Sequence, residues 1–222
     1  MITTNVIQRV FHLRYGGGTG TCFAIDVQNK QYLVTAKHVI DGFQNGNLIE
    51  LYYNGNWETL SANIVGHHDY ADVSVITVNQ ILARLPLVPD AGGITYGQDT
   101  YFLGFPYMIQ DERGSKINRN FPMPLVKKAT LSAIISDQVG SYLLLDGYNN
   151  PGFSGGPVVF KMQHTNEFKV AAIISGYKYV DEPTYQQNQQ TPIIYRANTG
   201  IIIANNIDYA LELIKINPIG VE

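Results

Sequence analysis

Short apolar runs separated by turn residues occupy most of this chain between residues 6 and 203. The runs are rich in Val, Ile, Tyr and Phe, and Gly, Asn, Asp and Pro lie between them, which is the pattern of short β-strands joined by turns. Many short strands at this spacing predict an all-β protein, either a sandwich or a pair of barrels. The predicted strands cover residues 6–13, 20–27, 31–35, 48–53, 59–65, 73–78, 100–104, 125–135, 142–146, 157–160, 168–177 and 199–203.

The end of the chain has a different period. Ile207, Ala210, Leu211 and Ile214 recur at i, i+3, i+4 and i+7, which predicts an amphipathic helix over about 206–216 that begins at the capping residue Asn206. We expect its apolar face to pack on the second half of the chain.

Three segments interrupt the strand pattern. The stretch 81–97 has three glycines, two prolines and no strong alternation, so we place the crossing between two halves here, at 89–96. The segment 110–124 is polar and contains Arg113, Lys116 and Arg119, and 180–192 is rich in Gln and Asn. We expect both of these to be solvated loops.

Composition excludes several classes of protein. The 222 residues carry a net charge of −3 with 45% apolar residues, which indicates a folded globular protein and gives no electrostatic case for nucleic acid. Cys22 is the single cysteine, so no internal disulfide forms and a reducing compartment is favoured. No signal peptide is visible at Met1, and no apolar run reaches the roughly 18–20 residues that span a bilayer. We expect a cytoplasmic protein that does not bind membranes.

The segment 151–157, which reads PGFSGGP, is the strongest candidate for chemistry. A serine hydroxyl becomes an effective nucleophile when a base takes its proton and backbone N–H groups receive the oxyanion. Gly152 and Ser154 would supply those N–H groups. A plain glycine-rich turn fits the same letters. The nucleophile elbow of α/β-hydrolases fits poorly, because a strand-like run follows Ser154 and only His164 comes later.

A serine hydrolase also needs a histidine and a carboxylate that orients it. Of the five histidines (His12, His38, His67, His68 and His164), His38 is the best placed, directly after the predicted strand 31–35. Asp72, at the entrance of the strand 73–78, and Asp69 are both candidates for the acid. On the residues alone, His38 could equally be an ordinary histidine.

Two other motifs carry less weight. The run GGGTG at 16–20 lacks the Lys-Ser/Thr of a phosphate-binding loop, so a turn before a strand explains it better. His67, His68 and Asp69 contain metal-ligating side chains, but adjacent histidines on an extended segment point to opposite faces. We expect neither a metal nor a cofactor.

At this point the sequence resembles the chymotrypsin- and trypsin-fold serine proteases, and most of all the protease domain of HtrA/Deg-type enzymes. The matching boxes occur in the family's order: GTGTCFAI at 18–25, TAKHV at 35–39, DYADVSVI at 69–76, LGFP at 103–106, ATLSAI at 129–134, GFSGGP at 152–157 and TGIIIA at 199–204. The resemblance implies that His38, Asp72 and Ser154 form the triad, and it selects Asp72 over Asp69.

The same resemblance implies the architecture. We expect two six-stranded antiparallel β-barrels and a C-terminal helix: a first barrel over 1–88 with His38 and Asp72, a crossing at 89–96, and a second barrel over 97–222 with Ser154. It also implies an oxyanion hole made by the N–H groups of Gly152 and Ser154.

Three departures from the family pattern matter. Phe153 stands where digestive proteases have an Asp that pairs with a newly cut N-terminus, so we do not expect activation by cleavage. Cys22 and Val39 lie near the positions of the family's histidine-loop disulfide, which therefore cannot form. No PDZ-like segment follows the final helix, so we expect the peptide-binding and oligomer-building parts of typical HtrA proteins to be missing.

Motif position also suggests the specificity pocket. Tyr148 and Asn149 would form its base, and Ser175, Gly176 and Tyr177 would form its wall and pair with an extended substrate. No acidic residue stands at the base, so we expect an uncharged side chain, small to medium or aromatic, beside the cut.

The sequence therefore predicts a serine endopeptidase that acts on proteins or peptides without a cofactor. Two alternatives stay open: a protease-fold binding or chaperone module that does not cut, and a latent protease that a regulatory partner, ligand or additional domain activates. The oligomeric state is not predicted.

Overall fold

The computed structural model describes residues 1–53, 55–108, 123–136 and 140–222. The predicted loop residues Arg113, Lys116 and Arg119 lie outside these ranges. Strands dominate the described chain, and they form two sheets that follow each other in sequence.

The first sheet is a closed antiparallel barrel. Its strands are β1 (Val10–Tyr15), β2 (Gly18–Val27), β3 (Lys30–Thr35), β4 (Leu48–Tyr53), β5 (Asn56–His67) and β6 (Ser74–Val78), in the order β1-β2-β3-β6-β5-β4. The pairing of β4 with β1 closes it. Aliphatic side chains fill the interior, among them Leu13, Leu33 and Ile76, and the free thiol of Cys22 is buried with them. Cys22 is therefore part of the core.

The second sheet contains β7 (Val88–Pro89), β8 (Asp99–Gly104), β9 (Leu125–Ser136), β10 (Ser141–Asp146), β11 (Pro157–Lys161), β12 (Phe168–Gln186) and β13 (Gln189–Asn206). Its order is β11-β8-β9-β10-β13-β12-β7, and β11 also pairs with β12. Six antiparallel strands therefore form a ring, and β7 lies parallel to β12 outside it. The predicted chymotrypsin-like double barrel with a C-terminal helix is confirmed.

Within the described residues, the α-helices are α1 (Thr4–Ile7) and α2 (Asp208–Ile216). The predicted C-terminal helix begins two residues later than expected, and the Asn206 side chain accepts a hydrogen bond from the Asp208 N–H at 3.0 Å. No helix in the described part of the chain has the length and apolar character needed to cross a membrane.

The helix α2 contacts both halves of the chain, whereas the sequence predicted packing on the second half alone. Its apolar face packs against β5 and β6 of the first barrel: Leu213 covers Gly66, and Asn217 donates to the Val65 carbonyl oxygen at 3.0 Å. The helix thus crosses back from the second half of the chain to the first. An amphipathic pattern shows which face of a helix is buried but not which element covers it.

Two boundaries also differ from expectation. The predicted strand 6–13 begins at Val10, because α1 precedes it. The segment 180–192, predicted as a loop, instead continues β12 and β13 into one long hairpin that turns at Gln187 and Asn188, both with positive φ. The end of this ribbon is exposed on both faces, so its sequence lacks the alternation of a half-buried strand.

The connection between the barrels is held by a buried arginine. Arg9 is fully buried, pairs with Asp26, and donates hydrogen bonds to the carbonyl oxygens of Ala24, Ala83 and Leu85. A buried guanidinium requires such partners, because an unpaired charge inside a protein is very costly. The chain leaving the first barrel is therefore fixed at 83–85.

Candidate active site

Three loops bring the predicted triad residues to one place. His38 lies in a 3-10 turn (Lys37–Ile40) after β3, Asp72 lies just before β6, and Ser154 lies in the turn before β11. The first barrel holds the Ser154 loop directly, because the Thr21 N–H donates to the Ser154 carbonyl oxygen at 2.8 Å. The site therefore combines residues from both barrels.

His38 and Asp72 form a tight pair. The distance from His38 Nδ1 to Asp72 Oδ2 is 2.7 Å, and the His38 backbone N–H donates to Asp72 Oδ1 at 3.0 Å. A carboxylate can only accept, so we assign the ring proton to Nδ1, which leaves Nε2 as a proton acceptor. This is the tautomer that a general base requires.

Ser175 is a third member of this pair's network. Its hydroxyl donates to Asp72 Oδ2 at 2.7 Å. The sequence placed Ser175 only in the pocket wall, and no local signal connects it to a carboxylate about a hundred residues earlier. Asp72 thus accepts hydrogen bonds from the His38 ring, the His38 backbone and the Ser175 hydroxyl. Of the two acids proposed from sequence, Asp72 is the one that contacts His38.

The electrostatics follow from these contacts. The pKa of His38 is raised, chiefly by its hydrogen bond to Asp72, while burial opposes the shift. Burial raises the pKa of Asp72, but the hydrogen bonds from His38 and Ser175 outweigh it, and the net pKa lies below the usual aspartate value. Asp72 is therefore ionised at neutral pH, where it can stabilise a positive charge on His38.

The Ser154 hydroxyl has a different partner in this structure. Its Oγ donates to the Ser175 carbonyl oxygen at 3.4 Å, and no hydrogen bond joins it to His38 among the residues described. Hydrogen bonds between a catalytic serine and its base are often long without substrate and tighten when substrate binds. Asp72 and His38 are thus hydrogen bonded to each other, but His38 is not hydrogen bonded to the Ser154 hydroxyl.

The loop that carries Ser154 depends on glycines. Gly152 and Gly155 have φ values of 102° and 82°, which disfavour other residues, and a Cβ on Gly155 would overlap the Thr21 carbonyl oxygen. The Thr21 hydroxyl donates to the Gly152 carbonyl oxygen at 2.7 Å. The backbone N–H groups of Gly152 and Ser154 have no acceptor within the described part of the chain. They are available as the oxyanion donors that the sequence suggested.

The proposed pocket residues lie on facing segments. Asn149 is buried, and its Nδ2 donates to the Gly176 carbonyl oxygen at 3.2 Å, so the base and wall are directly connected. Tyr148 is 57% exposed at the rim. Tyr177 follows on β12, paired with Ile202. Asn198, which the sequence did not single out, donates to the Asn149 carbonyl oxygen at 2.8 Å.

Three of the four remaining histidines have other partners, and His164 is exposed. His12 is buried and stacks on Phe105, with a ring-centroid distance of 5.2 Å. His67 Nδ1 is hydrogen bonded to Ser74 Oγ at 2.7 Å, and the His68 ring lies 4.4 Å from that of Tyr209. Each of these three side chains is thus engaged away from Asp72.

Comparison with known proteins agrees with the fold. Residues 18–164 match the family model of the trypsin-like peptidase domain. The fold is similar to that of the Rv3671c protease of M. tuberculosis H37Rv in an inactive form (TM-score 0.63, 18% identity, 96% of this chain and 90% of that one). It is also similar to the HtrA-type protease AlgW with a tripeptide (TM-score 0.63, 20% identity, 96% of this chain). This chain spans 60% of the AlgW chain. No curated protein matches the sequence.

Proposed function

Because this chain belongs to the trypsin-like peptidase domain family, we propose that it is a serine endopeptidase with Ser154 as nucleophile, His38 as general base and Asp72 as the acid that orients the base. The observation that carries the proposal is the 2.7 Å hydrogen bond between His38 Nδ1 and Asp72 Oδ2, in a structure that brings both to the Ser154 loop. A structural histidine would not need an ionised carboxylate at this position.

The proposed reaction has two stages. His38 Nε2 takes the Ser154 proton while Oγ attacks the peptide carbonyl carbon, and the protonated His38 then gives the proton to the leaving amine. Water, activated by the same histidine, hydrolyses the acyl-enzyme and frees Ser154. Asp72 stays ionised throughout and stabilises the imidazolium, and the Ser175 hydroxyl helps to keep it ionised.

The negative charge that develops on the substrate oxygen needs donors. The N–H groups of Gly152 and Ser154 are the proposed pair, since both are free of other acceptors in the described chain. Fixed donors of this kind usually supply the largest single stabilisation of the transition state, because they need no reorganisation.

We propose that the substrate carries an uncharged side chain beside the cut. None of the five residues proposed for the base and wall carries a carboxylate, and the Asp72 carboxylate behind Ser175 is already paired with His38. The ammonium of Lys127 lies 5.4 Å from the Tyr148 ring centroid. A lysine or arginine there would have no anionic partner and would meet this cation.

The test is intact-mass spectrometry after incubation with a fluorophosphonate. The wild-type protein is expected to gain one adduct, and Ser154→Ala and His38→Ala are expected to gain none. Ser132→Ala is the matched control, because it removes an exposed hydroxyl from β9. An adduct on Ser154→Ala equal to that on wild type would refute the assignment.

One observation favours a latent form of the same enzyme as the second candidate. Ser154 Oγ is bonded to the Ser175 carbonyl oxygen at 3.4 Å and not to His38. If this arrangement persists in solution, labelling of the wild type will be slow and will accelerate when a peptide substrate or regulatory partner is added. Fast labelling without any addition would exclude the latent form.

A further inference from the structure

We propose that Lys127 is a positioning residue: its ammonium group holds the loop 148–154 in place, and through that loop it fixes the two oxyanion donors. The proposal rests on the function proposed above for Ser154. No sequence motif singled out Lys127. It lies on β9, where it pairs with Phe102 on β8.

The contacts of Lys127 are specific. Its Nζ donates to the Tyr148 carbonyl oxygen and, at 2.9 Å, to Asn150 Oδ1. It also lies within 6 Å of the ring centroids of Tyr148 and Phe153. Burial among these groups lowers the pKa of Lys127. A cation that is partly removed from water and bonded at two points is a stronger restraint than a solvated surface lysine.

A series of contacts through Asn150 and Tyr107 connects Lys127 to one of the oxyanion donors, the Gly152 N–H. Because Lys127 binds Oδ1 of Asn150, the amide nitrogen of that residue faces the other way and donates to the Tyr107 hydroxyl at 3.0 Å. The Tyr107 backbone N–H in turn donates to the Pro151 carbonyl oxygen at 3.1 Å. The peptide that this carbonyl belongs to contains the N–H of Gly152.

The other described tethers of the loop are uncharged, and on its first half Asn149 is hydrogen bonded to Gly176 and Asn198. Phe153 is fully buried against Phe102, and Thr21 holds the Gly152 carbonyl oxygen. Of the described side chains, Lys127 is the charged one bound to the first half, at 148–150. With Phe153 at the position of the pairing Asp of digestive proteases, the loop has no internal carboxylate for a terminal amine to bind. Here the cation is the Lys127 side chain on the barrel, and its acceptors on the loop are neutral oxygen atoms of Tyr148 and Asn150.

Three variants test the proposal. Lys127→Met removes the cation and keeps a chain of similar length, and Lys127→Arg keeps the cation. Lys128→Met is the matched control, because Lys128 is the next residue on β9 and its exposed ammonium pairs with Asp99 at 2.8 Å. Thermal unfolding establishes that all three are folded.

The first measurement is kcat and KM on a peptide substrate, together with the rate of fluorophosphonate labelling. Loss of a charge-assisted hydrogen bond leads us to expect that Lys127→Met lowers kcat about tenfold or more, with a smaller change in KM. Lys127→Arg should recover a large part of that loss, and Lys128→Met should match wild type. Equal kcat in Lys127→Met and wild type would overturn the proposal.

The second measurement does not depend on catalysis. Amide hydrogen exchange of the loop 148–154 is compared in Ser154→Ala protein with and without Lys127→Met. We expect faster exchange in this loop when Lys127 is replaced and unchanged exchange in the Lys128→Met control. Unchanged exchange in Lys127→Met would refute the proposal. If the proposed function itself is wrong, wild-type protein shows no Ser154-dependent labelling. The exchange comparison still decides the role of Lys127 in that case.

Discussion

Replacing Thr21 by valine should weaken both the fold and the reaction. The Thr21 side chain is completely buried on β2, and its hydroxyl serves two groups of the second half: it donates to the Gly152 carbonyl oxygen at 2.7 Å and accepts from the Phe105 N–H at 3.1 Å. Valine has nearly the same shape, so the change removes these hydrogen bonds without leaving a cavity.

The size of the stability loss follows from the burial of the two groups that lose their partner, the Phe105 N–H and the Gly152 carbonyl oxygen. Phe105 is 1% exposed, so its N–H would bear the full penalty of an unsatisfied buried donor, about 1–3 kcal/mol. Gly152 is half-buried, so its carbonyl oxygen should cost about 1 kcal/mol. We therefore expect Thr21→Val to lower the free energy of unfolding by about 2–4 kcal/mol. Release of Gly152 should also lower kcat by about 10- to 100-fold, since a lost oxyanion donor costs 10²–10³.

Urea unfolding and steady-state kinetics measure the two effects. Thr21→Ser is the control, because it keeps the hydroxyl and loses one methyl group, at about 1 kcal/mol. If serine and valine destabilise the protein equally, or if Thr21→Val keeps the unfolding midpoint and kcat of wild type, the hydroxyl does not join the barrels as described.

Three further outcomes are expected. On the proposed function, His38 acts as a base only when neutral, and Asp72 raises its pKa, so kcat/KM should fall with decreasing pH through a pKa above the ordinary value of about 6.5. In Asp72→Asn this acid limb should move to lower pH and kcat should drop up to about 10⁴-fold; an unmoved limb would contradict the pairing. Burial raises the pKa of Cys22, so iodoacetamide should modify it only in unfolded protein, as mass spectrometry can show; rapid modification of the native protein would mean that β2 opens readily. Gly155→Ala should fail to label with fluorophosphonate even where circular dichroism shows a folded protein, because its added Cβ meets backbone and its φ is 82°; normal labelling would count against this loop conformation.

The sequence predicted what depends on local pattern. Alternation and turns located most strands, and the periodic residues located α2 to within two residues. It did not show where α2 packs, because a helix face has the same pattern whichever barrel covers it. It also missed the long hairpin, whose exposed faces need no alternation.

The same limit applies to the site. The family boxes selected His38, Asp72 and Ser154 because they form short motifs. Lys127 belongs to no such motif, and the box at 18–25 that contains Thr21 assigned it no role. Each acts on backbone atoms far away in sequence: Thr21 on Gly152, 131 residues later, and Lys127 on Tyr148, 21 residues later. Every residue has a backbone carbonyl oxygen, so the residue type at the acceptor position gives no signal for these contacts.

The division of the site between two barrels has a consequence for synthesis of the protein. The first barrel, with His38 and Asp72, is complete once the ribosome has made residue 78, whereas the ring around Ser154 closes only when β13 pairs with β10 and β12. Domains generally fold as they emerge, N-terminal part first. On the proposed function, a nascent chain would thus display the base and acid long before a positioned nucleophile, so it could not cut neighbouring nascent proteins while still attached to the ribosome.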